Sequence, residues 1–148
     1  MRAQRPVFDI DPLALAGDDD VVGAALDFAA REIATGPVLI SASARPERVR
    51  AVQEKLGRER AGALVETALA EIARRLVERG VRRLVVAGGE TAGAVVKALG
   101  IKGLRIGKQI DPGVPWTASL GEPPLLLALK SGNFGGVDFF LRSFSLLP

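Results

Sequence analysis

The feature that most restricts the fold is an apolar run that ends abruptly on glycines. Pro124-Leu125-Leu126-Leu127-Ala128-Leu129 is followed at once by Lys130-Ser131-Gly132-Asn133-Phe134-Gly135-Gly136. A run so short and so uniformly apolar suits a strand buried on both faces. The glycines let the backbone turn sharply and approach a ligand closely. Val137-Asp138-Phe139-Phe140-Leu141-Arg142 then resumes with helical character. The same order of strand, glycine loop and helix recurs at Val85-Val86-Ala87-Gly88-Gly89-Glu90-Thr91. That order aims backbone N–H groups and the positive end of a helix at an anion. Two such loops in one small chain predict a phosphate cradle with two walls.

The remaining patterning alternates in the same way. Val7-Phe8-Asp9-Ile10 alternates like a short strand, and the acids Asp18, Asp19 and Asp20 stand where a helix would begin. A charge cluster favourable to the helix dipole is a better account of that triplet than a metal site. Val21, Val22, Ala25, Leu26, Ala29 and Ile33 recur at helical spacing until Gly36-Pro37. A strand follows at Val38-Leu39-Ile40-Ser41-Ala42-Ser43, then a helix opened by Pro46 and closed by Gly57, and a longer one stopped by Gly80. Leu84-Val85-Val86-Ala87 is the next strand, and Thr91 is placed to cap the helix after it. Leu104 to Ile110 alternates as a strand, and Asp111-Pro112-Gly113-Val114-Pro115-Trp116 reads as a stiff turn carrying the only tryptophan.

Strands alternating with helices predict an α/β fold, layered α/β/α around a mainly parallel sheet that can be mixed. A chain of 148 residues suits one domain over 1–148. Ligands of such sheets sit beyond the carboxyl ends of the strands. Ser43, the loop at Gly88-Gly89 and the loop at 132–136 all stand at such ends, so one edge is expected to gather them.

Composition removes whole classes of chemistry. There is no cysteine and no histidine. Disulfides, thiolate metal sites, cysteine nucleophiles and every Ser-His-Asp arrangement are therefore excluded. No apolar stretch reaches the roughly 20 residues of a membrane span, and the first residues lack an export core, so the expected location is cytoplasmic. The net charge of +3 is spread over helices that also carry acids, and aromatics make up only 5%. A nucleic-acid surface would need a one-sided basic face with stacking aromatics, so no nucleic-acid partner is expected.

The glycine loops match neither the P-loop nor the Gly-x-Gly-x-x-Gly pattern. Glu90 suits either a metal-bound water beside phosphates or an ordinary acid in a first helical turn. Lys130 is placed to reach a phosphate or to be solvated, and Asn133 to hold a turn through its own backbone. Trp116 suits stacking on a base, capping the domain or meeting another domain. No residue stands out as a general base, and the catalytic groups are left unassigned.

Three ordered motifs resemble one family. They are Gly88-Gly89-Glu90-Thr91-Ala92-Gly93-Ala94-Val95-Val96, Ile110-Asp111-Pro112-Gly113-Val114-Pro115-Trp116, and Leu129-Lys130-Ser131-Gly132-Asn133-Phe134-Gly135-Gly136-Val137-Asp138-Phe139-Phe140. Together with Asp11-Pro12-Leu13-Ala14-Leu15 and the strand ending at Ser43, they resemble the C-terminal nucleotide-binding domain of four-carbon acid sugar kinases. Members phosphorylate 3-oxo-tetronate, threonate or erythronate with ATP. The resemblance implies ATP or ADP, with Mg2+, held by Ser43, Gly88, Gly89, Glu90, Thr91, Ser131, Gly132, Asn133 and Gly135. Ala92 and Ala42 stand where the family commonly has serines. Family members are two to three times longer, and the half absent from these residues binds the sugar acid and carries the best catalytic candidates. The expectation is a nucleotide-binding half without appreciable kinase activity of its own. A cut-out domain, a split product that needs a separate substrate-binding chain, and a non-catalytic nucleotide-binding or assembly module all remain open. Self-association is expected through an apolar face around Trp116 and Val114.

Overall fold

Two short parallel strands begin the chain. In the computed structural model, which describes residues 1–17, 19–43, 46–132 and 134–146 and leaves out the side chain of Arg48, β1 (Val7–Asp9) pairs with β2 (Leu39–Ser41). Between them lie α1 (Pro12–Leu15), α2 (Val21–Glu32) and a 3-10 turn at Ile33–Thr35. Asp11 caps α1 by accepting from the Leu13 N–H, and Asp20 caps α2 by accepting from the Gly23 N–H at 2.7 Å. The acids before α2 thus act as the pattern predicted at Asp20, whereas Asp18 lies outside the described residues. Ala25, Leu26 and Ala29 of α2 are fully buried, which matches their helical spacing. Next come α3 (Pro46–Leu56) and α4 (Arg58–Glu78), separated at Gly57.

The rest forms one four-stranded sheet and two helices: β3 (Arg83–Ala87), α5 (Gly89–Ala98), β4 (Leu104–Asp111), β5 (Val114–Ser119), β6 (Leu126–Lys130) and α6 (Phe139–Ser145). The strand order is β3-β6-β5-β4. β3 and β6 are parallel, with Ala87 opposite Lys130, while β6–β5 and β5–β4 are antiparallel. The fold is therefore α/β with a mixed sheet, and antiparallel pairing takes a larger share than the alternation of strands and helices suggests. The extra strand is β5. Asp111 to Trp116 is not merely a stiff turn: Pro112 and Gly113 form a two-residue hairpin loop, and the chain runs straight on as a strand. The fixed φ of proline followed by the positive φ of Gly113 (+79°) suits a type II turn. Such a turn splays the strands it joins, and the β4–β5 register shifts on either side of Gln109. Pro115 is tolerated opposite that irregularity, where a missing N–H breaks no regular ladder.

Folding contacts divide the chain into two compact units, Arg2–Ile72 and Ala73–Pro148, the second with Met1. The core of the second unit is Ile110, Val114, Trp116, Ala128 and Phe139, with Val85, Leu126, Phe140, Phe144 and Leu146 packed against it. Leu127 and Val86, on the opposite face of the pleat, are also buried, so β6 is covered on both sides as its composition predicted. Trp116 and Val114 are 2% and 1% exposed. They are core residues beneath α6, and neither contributes to the expected exposed apolar docking face. Among the described residues, no helix is long and apolar enough to cross a membrane.

Candidate functional site

Pairing of β3 with β6 in parallel makes their carboxyl ends neighbours. The ladder continues one step past both strands, where the Gly88 N–H donates to the Lys130 carbonyl at 2.9 Å. The two glycine loops predicted as the walls of a cradle are therefore adjacent and tied through their first residues. Gly88, Gly89, Glu90 and Thr91 lead directly into α5, and Ser131, Gly132 and Gly135 lie in the loop before α6. Asn133 falls outside the described residues.

The α5 side offers backbone donors. Gly88 precedes the helix, and among the described residues no side chain caps it. The first N–H groups of any helix lack intrahelical acceptors, so those of Gly89, Glu90 and Thr91 face outward at the positive end of α5. Thr91 is not the cap expected of it. It lies inside the first turn, with Oγ1 3.2 Å from where a Gly88 Cβ would stand. A Cβ built on Gly89 or Gly132 meets nothing within 4 Å. The space beside both loops is open, as an approaching phosphate requires. Glu90 is exposed and has no ion pair with a described residue. No three carboxylates among the described residues come together as a metal site.

The β6 side is fixed from beneath. Gly135 has φ +87°, and a Cβ there would stand 2.7 Å from Cδ2 of Phe139, so the loop at this residue is seated against that side chain. Lys130 points its ammonium at the Ser131 carbonyl (3.0 Å) and over the Phe139 ring, 5.8 Å from its centre. Two further ties come from the β4–β5 hairpin. Asp111 Oδ2 accepts from the Gly136 N–H at 3.1 Å while Oδ1 pairs with the Arg142 guanidinium of α6. Phe134 lies against Gly113, whose missing Cβ would stand 2.9 Å from Cε1 of that ring. α6 is in turn held by Trp116, whose indole N–H donates to the Ser143 carbonyl at 2.9 Å, and by the edge contact of Trp116 with Phe144. Trp116 is thus a strut for α6, and stacking on a base is ruled out by its burial.

Ser43 stands apart. It follows β2, whose two-stranded sheet is separate from the sheet that carries the glycine loops, so a common sheet edge does not gather all three loops. Ser43 is exposed, its N–H donates to Ser41 Oγ at 3.1 Å, and its carbonyl accepts from Arg2 at 3.4 Å. Arg2 also pairs with Asp9 at 2.7 Å. That side-chain hydrogen bond holds the guanidinium pKa above its ordinary value against partial desolvation.

Asp111 and Arg142 are the site residues that pattern reading missed. Their sequence signal was an acid placed directly before a Pro-Gly turn, but its partners lie 25 and 31 residues away.

Comparison with known proteins identifies the family. Residues 1–140 match the family described as the nucleotide-binding C-terminal domain. The chain is 62% identical over 147 residues to the 3-oxo-tetronate kinase of Pseudomonas fluorescens, covering 99% of this chain and 34% of the relative. It superposes on a Haemophilus influenzae protein of known structure with a TM-score of 0.92 at 34% identity, over 98% of this chain and 35% of the other. A Bordetella bronchiseptica structure described as a domain-swapped dimer with bound citrate has a TM-score of 0.69 at 26% identity, over 96% of this chain and 33% of that one. The chain spans about a third of the length of the relatives it matches, 34% for the Pseudomonas kinase. With two glycine loops side by side at the ends of parallel strands, and a family match over nearly its whole length, this chain belongs to the nucleotide-binding C-terminal domain family.

Proposed function

We propose that this chain is the ATP-binding part of a kinase for four-carbon sugar acids of the 3-oxo-tetronate class. The observation that carries this reading is the hydrogen-bonded juxtaposition of the loops at 88–91 and 131–136, in a chain 62% identical to one third of a 3-oxo-tetronate kinase. Phosphoryl transfer depends mainly on positioning and on neutralising charge, and these loops are suited to both. The first N–H groups of α5 would bind phosphate oxygens at the positive helix end. The loop amides around Gly132 and Gly135 would approach from the β6 side, with Lys130 supplying a nearby cation. Magnesium prefers oxygen ligands, keeps several waters and needs few protein carboxylates. The exposed Glu90, which has no ion pair with a described residue, would hold a water of the nucleotide's magnesium. When bound, the ion supplies charge neutralisation on the phosphates. Ser43 is carried into the proposal from the family resemblance as a further nucleotide contact.

The acceptor hydroxyl and the base that deprotonates it would come from the part of the longer relatives that these 148 residues do not include. That part would be supplied by the same polypeptide or by a separate chain, in the cytoplasm. The purified chain should therefore bind ADP without turning over ATP in the presence of 3-oxo-tetronate or threonate. Calorimetric titration with ADP, with and without magnesium, tests the binding, and absence of saturation at millimolar nucleotide would refute it. Measurable sugar-acid phosphorylation by this chain alone would refute the division of labour.

A second reading, a binding or assembly module that has lost its chemistry, draws on Ala92 in the first turns of α5 and on Ala42 before Ser43. Restoring serine at both positions should then raise nucleotide affinity, and unchanged affinity would remove that support.

A further inference from the structure

A full negative charge lies at the base of the loop that the proposed function assigns to phosphate. Asp111 is only 13% exposed in its side chain and touches the Gly136 N–H, inside the loop itself. By itself such a carboxylate would repel a nucleotide. Its second oxygen, however, is taken by the Arg142 guanidinium from α6. Arg142 makes this pair although its Nε is left buried without a hydrogen-bond partner among the described residues, an arrangement that costs stability. The same hairpin that carries Asp111 also seats Phe134 against Gly113, so the loop is held at two points along its length.

We infer that Asp111 and Arg142 form a positioning pair for nucleotide binding. Asp111 fixes the height of the glycine loop through Gly136, and Arg142 cancels the charge that this anchoring introduces. Neither side chain needs to touch the ligand. The inference rests on the nucleotide reading, and it makes a demand that a merely structural ion pair does not. Removing the arginine should harm binding chiefly because Asp111 remains charged, and neutralising Asp111 as well should undo much of that harm.

The test is calorimetric titration of MgADP into the full 148-residue chain and its variants. Arg142→Gln should weaken ADP on the order of tenfold, the scale of one uncompensated charge near a phosphate at intermediate dielectric. The loss should shrink as salt is raised. The double variant D111N/R142Q should recover most of the affinity, because asparagine still offers an oxygen to Gly136 without the charge. Arg142→Lys, which keeps the cation, should stay within a few-fold of the unaltered chain. Emission of the single tryptophan, Trp116, verifies that α6 stays docked in each variant. If R142Q does not fold, R142K and D111N/R142Q still decide the matter, since both are required to bind nearly normally. Equal weakness of R142Q and the double variant would overturn the inference, as would a tenfold loss in R142K. If the unaltered chain does not bind ADP, the nucleotide reading falls and this inference with it. Binding by the unaltered chain and equally by R142Q would remove this inference alone.

Discussion

Two glycines three residues apart in one loop should respond very differently to the same substitution. Gly135→Ala places a Cβ 2.7 Å from Cδ2, 2.8 Å from Cγ and 3.1 Å from Cβ of Phe139. The last of these is anchored to the backbone of α6, so the ring cannot simply swing away. The residue also holds φ +87°, a conformation that costs an L side chain about 1–2 kcal/mol. Overpacking a buried contact adds about 1–3 kcal/mol, so Gly135→Ala should destabilise by about 2–5 kcal/mol in total. Gly132→Ala meets nothing within 4 Å and does not have a positive φ. Its effect on stability should stay within about 0.5 kcal/mol, as for surface changes away from special features. Urea unfolding followed by Trp116 emission is the assay, because Trp116 shares the buried cluster of Phe139. With a mid-range slope of about 2 kcal/mol/M for a small protein, the Gly135 variant should lose roughly 1–2.5 M in its midpoint. Equal midpoints for the two variants would refute the claim that the loop is seated on Phe139.

Three other perturbations separate binding from stability. Gly89→Leu enters open space in the first turn of α5 and should leave the unfolding midpoint nearly unchanged while abolishing saturable ADP binding in calorimetry; normal ADP affinity would show that phosphate does not approach that turn. Leu127→Ala removes a side chain of zero exposure from β6 and should cost about 2–5 kcal/mol in urea unfolding; a loss under 1 kcal/mol would contradict burial of β6 on both faces. Asp20→Ala removes the acceptor of the Gly23 N–H at the start of α2 and should cost about 1 kcal/mol, read from thermal unfolding by circular dichroism, whereas Asp20→Asn should keep most of that stability.

Features with local causes were already legible in the amino-acid pattern. Uniform apolarity marked β6 as buried on both faces, helical spacing marked the face of α2, and glycines directly after β3 and β6 marked both loops. Those loops became neighbours through an ordinary consequence of parallel pairing, since Ala87 lies opposite Lys130 and both carboxyl ends point the same way. Resemblance to sugar-acid kinases was likewise legible, because it resides in contiguous motifs. Features that depend on distant partners emerged with the fold. Pro115 argued locally against a strand, yet β5 forms because β6 lies on one side of it and the irregular stretch of β4 spares the missing N–H. Trp116 offered an aromatic surface in the sequence, but its indole N–H meets the Ser143 carbonyl and its ring disappears beneath α6. Ser43 shared a strand-end pattern with the glycine loops, but its strand belongs to a different sheet. Asp111 looked like a turn residue until folding brought Gly136 and Arg142 to its two oxygens. Local pattern reports backbone conformation and burial, whereas the partner of a charged group is chosen by chain topology, which no window of neighbouring residues contains.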